Sequence, residues 1–135
     1  MNVKNHSLSF SRSILMIDSG AALIAGLVLL FIPIPFATWY SLTDEVFLFT
    51  GIVNLVYGFY SGTLVLMLVL RIPFKKFLID LLITANFSWA MVCIGIIVWN
   101  WSVINGFGIA HMGFEGCFVV LLAMFEFYFV RPLAI

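Results

Sequence analysis

Five polar side chains that could carry chemistry lie within long apolar stretches of this sequence. They comprise two carboxyls, one imidazole and two amides: Asp18, Glu115, His111, Asn54 and Asn86. Carboxyls and imidazoles can exchange protons, and amides both donate and accept hydrogen bonds. Such groups are costly in hydrocarbon, so they usually face the interior of a helix bundle or a wet cavity. We therefore expect these side chains to point inward and to form a ladder of polar groups along the axis of a bundle.

The same residues can also be explained without a functional site. Asp18 could pair with Arg12 or Lys76 near the inner face of the membrane. Glu115 could stay protonated and hydrogen-bond to Asn54 or His111. The two asparagines could serve as hydrogen-bonded links between helices, a common device in membrane proteins.

His111 and Glu115 are four residues apart, which places them on one face of a helix. The pair could bind a metal ion or relay protons. Structural zinc normally takes four ligands, and only two are close in sequence here. We therefore predict no metal site and no bound cofactor.

The elements that must position these residues are four apolar runs. In a chain of 135 residues, 64% are hydrophobic and only 9% are charged, against roughly a quarter charged in globular proteins. Uncharged apolar runs of this length are typical of transmembrane helices. The predicted spans are residues 14–32, 46–70, 77–99 and 108–130. Pro33 and Pro35 should end the first of them. The prediction is an all-α fold, an antiparallel four-helix transmembrane bundle that forms one membrane domain over residues 1–135.

All basic residues fall in segments that share one side of such a bundle. There are six of them: Lys4, Arg12, Arg71, Lys75, Lys76 and Arg131. Cytoplasmic loops are enriched in Lys and Arg, so we expect both termini to be cytoplasmic in a bacterial-type inner membrane. Asp80 and Glu126 lie in the same half of the bundle. We expect them to form ion pairs there with Arg12, Arg71, Lys75, Lys76 or Arg131.

Small residues at four-residue spacing indicate where helices can approach closely. Gly58 and Gly62 form such a pair on the second span, and Ala22 and Gly26 form one on the first. Gly113 and Gly116, three residues apart, are the corresponding small residues on the fourth. These residues could pack helices within one chain or between copies of a homo-oligomer.

Several function classes are disfavoured by the sequence. The net charge is zero, which gives no sign of nucleic-acid binding. The two cysteines, Cys93 and Cys117, lie in apolar runs and do not form a secreted disulfide framework. There is no glycine-rich phosphate loop and no Ser/His/Asp constellation. A bis-histidine haem would need a second intramembrane histidine, and His6 lies in the N-terminal tail. A non-enzymatic protein is therefore favoured.

A resemblance adds to this interpretation. It rests on short motifs: Asp18-Ser19-Gly20, Gly51, Arg71, Asn86-x-x-Trp89, and Gly108 with Glu115. With them the chain resembles an uncharacterised family of small bacterial four-span integral membrane proteins. The layout is also similar to that of DoxX-like membrane proteins, which would imply quinone-linked redox chemistry.

Three functions stay open on these grounds. The first is an accessory or assembly subunit of a membrane complex, because the loops are very short and no catalytic motif is present. The second is a small proton-linked transporter or channel, with Asp18 and Glu115 as the titrating groups. The third is a quinone-linked redox protein, which rests on the DoxX-like layout alone. The expected partners are the lipid bilayer and either further copies of the chain in a homo-oligomer or a larger membrane-protein complex.

Overall fold

The computed structural model describes residues 3–32 and 38–135, with side chains described from Leu8 onward. It contains four long helices: α1 Val3–Phe31, α2 Asp44–Val69, α3 Lys76–Trp99 and α4 Gly106–Phe125. A π-helical turn, Glu126–Val130, continues α4, and a 3-10 turn, Arg131–Leu133, follows it. No strand occurs among these residues, which confirms the all-α four-helix prediction.

The helices are those of a small membrane protein. All four are long and apolar enough to cross a bilayer within the described ranges. Only 28–33% of the residues in the most apolar part of each helix are buried. Large apolar side chains therefore cover the outside, among them Val56, Phe59, Met91 and Phe114. An apolar exterior of this extent requires lipid around it.

The ends of the helices differ from the predicted spans at two places. α1 begins at Val3, not near residue 14, so the polar segment that precedes the apolar run is helical as well. At the other end of the chain, regular α-helix stops at Phe125. Pro132 has no N–H to continue the hydrogen-bond ladder, and the chain changes to π and 3-10 turns before it. The predicted stops at Pro33 and Pro35 lie outside the described residues, as do the side chains of Lys4 and His6.

α1 and α2 pack together very closely. A Cβ atom placed on Gly58 would lie 2.9 Å from the backbone nitrogen of Leu23. One placed on Gly26 would lie 2.8 Å from the backbone nitrogen of Leu55. The Ser19 hydroxyl adds a hydrogen bond to the carbonyl oxygen of Gly58 at 3.2 Å. These two helices therefore form a rigid hairpin.

Of the other predicted packing residues, some make contacts between helices and one faces open space. Ala22 is buried, and a Cβ on Gly62 would come within 3.0 Å of the Ser19 hydroxyl. On α4, a Cβ on Gly116 would make an ordinary contact with Cys93 of α3 at 3.5 Å. A Cβ on Gly113 would meet nothing within 4 Å. Among the predicted packing glycines, close approach thus occurs in the α1–α2 hairpin, and α3 and α4 form a looser second hairpin.

The two hairpins are joined mainly at their ends. At the end that carries Arg71, Lys75, Lys76 and Arg131, here called the basic end, the C-terminus folds against the α2–α3 loop. The Lys76 N–H donates to the carbonyl of Ile135, and the Ile135 N–H donates to that of Phe74. The Ser11 hydroxyl on α1 donates to the Phe129 carbonyl of the π turn at 2.7 Å. Both chain ends therefore lie at the basic end.

An apolar cluster closes each end of the bundle. At the basic end Leu15, Ile79, Leu82 and Val130 pack together. At the opposite end the cluster is formed by Leu29, Tyr40, Phe47 and Ile104. The Asn105 side chain strengthens that end by donating to the Trp39 carbonyl. Between the two clusters the hairpins separate and enclose space.

Candidate functional site

A cavity of about 790 Å³ lies between the two hairpins, and all four helices contribute to its wall. Small side chains leave this volume free: Ala21, Ala22 and Ala25 on α1, and Ala85 on α3. Val56 and Phe114 line the cavity although they are 67% and 72% exposed. The cavity therefore reaches the outer surface of the bundle, where lipid would lie.

Polar side chains from every part of the bundle meet at the end of the cavity nearer the basic end. This inner polar group consists of Asp18 on α1, Tyr57 and Ser61 on α2, Asn86 on α3 and Glu126 on the π turn. The Tyr57 hydroxyl donates to Asp18 Oδ2 at 2.7 Å. Ser61 and Asn86 also lie within hydrogen-bonding reach of the Asp18 carboxyl. Asp18 is thus hydrogen-bonded by Tyr57 of α2 and has further polar side chains of α2 and α3 close by.

Glu126 is the second carboxyl of the inner polar group. It is fully buried, and its Oε2 accepts a hydrogen bond from Asn86 Nδ2 at 3.0 Å. Its Oε1 has no hydrogen-bond partner among the described residues. Asn86 therefore stands between two carboxyls, those of Asp18 and Glu126. Repulsion between two charged carboxylates is strong in surroundings of low dielectric constant, so the pair favours a bound proton or another cation.

Helix α2 supplies its part of the inner polar group through regular spacing. Asn54, Tyr57 and Ser61 are separated by three and four residues, which places them along one face of the helix. The Asn54 amide donates to the Thr50 carbonyl one turn earlier at 3.0 Å. Asn54 lines the cavity, but its amide N–H is engaged by its own helix.

A second polar group lies towards the opposite end of the cavity. This outer polar group consists of Tyr40, Trp89, His111 and Glu115, all of which line the wall. Trp89 Nε1 donates to Glu115 Oε1 at 2.8 Å. The His111 ring stacks on Tyr40 with 5.1 Å between ring centroids. Burial, together with the nearby negative charge of Glu115, raises the pKa of Tyr40 above its usual value.

Four of the five predicted interior residues are divided between these two groups. Asp18 and Asn86 meet in the inner polar group, whereas His111 and Glu115 lie in the outer one. Asn54 faces the cavity as well. The carboxyls of Asp18 and Glu115 have partners other than those considered from the sequence, namely Tyr57 and Trp89.

The basic side chains lie away from the cavity. Asp80 and Arg131 pair at the basic end, where Arg131 Nη2 lies 3.3 Å from Asp80 Oδ2. This is the one ion pair among the side chains described. The other four described basic residues, Arg12, Arg71, Lys75 and Lys76, are exposed. Glu126 differs from the expected ion pairing, because it turns into the bundle and bonds to Asn86.

Sequence reasoning missed Tyr57 and Ser61, and it placed Glu126 with the surface ion pairs. The spacing of Asn54, Tyr57 and Ser61 on α2 carried a usable signal, since a polar stripe on an apolar helix indicates its inward face. No comparable signal marks Glu126. It is inside because the C-terminal turns fold back over it.

The arrangement is suited to binding and to proton exchange. Carboxyls at two depths face one apolar cavity, and no Lys or Arg is among the described residues that line it. No group of three or more His, Cys, Asp or Glu side chains that could hold a metal ion occurs in the described part of the chain. Comparisons with family models, curated proteins and solved structures returned no match to this chain. The function is therefore argued from the site.

Proposed function

We propose that this membrane protein is a small proton-linked transporter whose substrate occupies the cavity between the two hairpins. The observation that supports this most strongly is the cavity itself, with carboxyls at two depths. Its volume of about 790 Å³ falls within the range of roughly 300–1,000 Å³ found for sites that hold small molecules. An accessory subunit with a purely structural core has no need of such a space.

The carboxyls supply the link to protons. A charged carboxylate inside a membrane is costly unless a proton, a cation or hydrogen-bond donors compensate it. Asp18 lines the cavity and is 2% exposed, with Tyr57 as its donor. A substrate that interacts with Asp18 would compete there with a proton. Binding at one side and release at the other would then move protons and substrate in a coupled way.

The hairpins supply two bodies that could move. α1 and α2 are locked by backbone contacts at Gly26 and Gly58. Contacts between the hairpins are concentrated at the two ends of the bundle. Rocking of one hairpin against the other would open the cavity to each side in turn, as repeat units do in larger transporters. By the positive-inside rule the basic end faces the cytoplasm of a bacterial-type cell, with both termini inside.

Cysteine accessibility tests this function. Ala25 lines the cavity, and the neighbouring Ile24 faces outward with 65% exposure. Each is replaced by Cys in a chain whose Cys93 and Cys117 are both changed to Ala. A charged methanethiosulfonate reagent is then applied to right-side-out and to inverted vesicles. The thiolate of the introduced Cys attacks the reagent's sulfur and displaces methanesulfinate to form a mixed disulfide, and this thiolate forms in water but is suppressed in apolar surroundings.

A transporter should show labelling at Ala25→Cys from both sides and none at Ile24→Cys, which faces lipid. Labelling from one side only would indicate a binding site without alternating access. If Ala25→Cys resists the reagent from both sides, the cavity is dry and the transport proposal fails.

The accessory-subunit function remains a second proposal, and one observation favours it. Gly95 on α3 and Gly113 on α4 are exposed, and a Cβ at either would meet nothing within 4 Å. Exposed glycines allow a neighbouring transmembrane helix to approach closely. The neighbour could be a second copy of this chain or another membrane protein. Purification in a mild detergent should then retain that partner, and Gly113→Leu should release it.

A further inference from the structure

We propose that the substrate class is organic cations with aromatic or alkyl substituents. The inference rests on the proposed function, because it assigns a ligand to the same cavity. It is carried by the distribution of charge around the cavity and by the chemistry of the cavity wall.

The described residues that line the cavity include carboxyls but no Lys or Arg. Asp18 and Glu115 line it, and Glu126 lies directly behind Asn86. The described basic side chains lie outside the cavity. At the basic end, the Asp80 carboxylate is paired with Arg131. An anionic ligand would lie against like charges in surroundings of low dielectric constant. A cationic ligand would compensate a carboxylate that the protein leaves without a cation.

The wall suits a bulky apolar ligand that carries its charge at the centre. Phe49 and Trp89 face each other across the α2–α3 side with ring centroids 6.2 Å apart. Phe114 and Phe118 stack on the α4 side, with 6.4 Å between centroids. Ring faces attract organic cations, and Trp does so most strongly. A small hydrated metal ion would gain nothing from these rings, so the wall selects against it.

The outer polar group offers the cation a second binding position. Trp89 donates to Glu115 and also belongs to the aromatic wall. A cation stacked on Trp89 would therefore lie close to the Glu115 carboxyl. The first binding position, at Asp18 in the inner polar group, lies further along the same cavity. One ligand could thus move between two carboxyls without leaving apolar surroundings.

Cations and protons should compete at these carboxyls. The titratable groups that face Asp18 are Tyr57 from α2 and Glu126 from the π turn. Those near Glu115 are Tyr40 from the connector and Cys93 from α3, with His111 on the same helix. None of them supplies a fixed positive charge. Binding of the cation should therefore release protons, and raising the pH should strengthen binding.

The test uses two probes that differ in charge and share their shape. Tetraphenylphosphonium and tetraphenylborate both carry four phenyl groups around a central atom. Their binding to the purified full-length chain in detergent is measured by equilibrium dialysis, with protein-free micelles as the blank. We expect saturable binding of the phosphonium and no binding of the borate above the blank. Equal binding of the two probes would overturn the charge argument.

Substitutions test which carboxyls provide the negative charge that binds the phosphonium. Asp18→Asn should weaken phosphonium binding by about tenfold or more, because it removes a carboxylate from surroundings of low dielectric constant. Glu115→Gln should weaken it too, and this variant keeps the experiment decisive if Asp18→Asn proves unstable. Glu45→Gln is the matched control, since Glu45 is exposed in the first turn of α2. Unchanged affinity in both cavity variants would refute the proposal.

A third probe separates this inference from the function on which it rests. Decylubiquinone is neutral and apolar, so displacement of the phosphonium by the quinone at similar concentration would contradict selectivity for cations. If Ala25→Cys is labelled from both sides but the phosphonium does not bind, the transporter stands and its substrate class is wrong. If the phosphonium binds without such labelling, the site is right and transport is wrong.

Discussion

The α1–α2 interface and the space between the two hairpins are built from similar small residues with opposite results. In the first, Gly26 and Gly58 let two backbones touch. In the second, Ala25 and Ala85 line the cavity between the hairpins. Small residues therefore allow close helix packing at the α1–α2 interface and leave free volume between the two hairpins. The difference is set by which contacts hold the helices: the hairpin is joined along its length, whereas the two hairpins are joined at their ends.

The largest expected effect comes from breaking the close interface. Gly58→Leu inserts a side chain where even a Cβ would lie 2.9 Å from the Leu23 backbone nitrogen. Overpacking should cost about 3 kcal/mol or more, because backbone cannot move aside as a side chain can. Thermal unfolding in detergent measures the loss. Gly95→Leu is the control, since its Cβ would meet open space, and it should unfold near the wild-type temperature. Equal stability of the two variants would show that the α1–α2 contact is not as close as described.

A smaller effect is expected from the polar side of the cavity. Asn86→Leu removes the donor to Glu126 Oε2, and since Oε1 already has no partner among the described residues, neither oxygen of a fully buried carboxyl is then hydrogen-bonded. The cost should be about 1–3 kcal/mol in unfolding free energy. Replacing both partners, as Asn86→Leu with Glu126→Leu, should recover much of it, because no polar group is then stranded.

The exposed neighbour provides the control for this prediction. Phe87→Leu changes a side chain that is 45% exposed, and it should leave stability close to wild type. A double variant less stable than Asn86→Leu alone would mean that Glu126 has support other than Asn86.

The smallest effect belongs to the outer polar group. Trp89→Phe keeps an aromatic ring but removes the N–H that donates to Glu115. One hydrogen bond to a partly accessible carboxyl should be worth about 1 kcal/mol. Trp99→Phe is the matched control, because it makes the same substitution at a side chain that is 90% exposed. Chemical unfolding of the two variants side by side should show the loss only at Trp89. Identical curves would remove this bond from the description of the site.

Much of the fold could be predicted because long apolar runs have few alternatives. The lack of charge between residues 46 and 70 requires a helix whose backbone groups are satisfied internally. The start of α1 was harder. Lys4, His6 and Arg12 are polar, but nothing in the first residues breaks a helix, so the helix extends from Val3.

The cavity could not be predicted, and the reason is physical. An inward face is recognised when one side of a helix is polar, and apart from the polar stripe on α2 these helices are apolar nearly all round. The position of Ala25 against Ala85 depends on the rotation and tilt of whole helices. Glu126 illustrates the same difficulty at one residue. Its place near the end of a span indicated the membrane boundary, whereas contacts of Phe74 with Ile135 and of Ser11 with Phe129 close the bundle beyond it.

The central claim, that the cavity couples a cation to protons, is tested most directly by flux. Purified protein is placed in liposomes with an acidic interior, and ethidium uptake is followed by fluorescence from DNA trapped inside. We predict uptake that exceeds protein-free liposomes, that stops when a protonophore removes the gradient, and that Asp18→Asn reduces to the protein-free rate while Glu45→Gln leaves it intact. Wild-type uptake no faster than that of empty liposomes, or equal uptake by wild type and Asp18→Asn, would contradict the account.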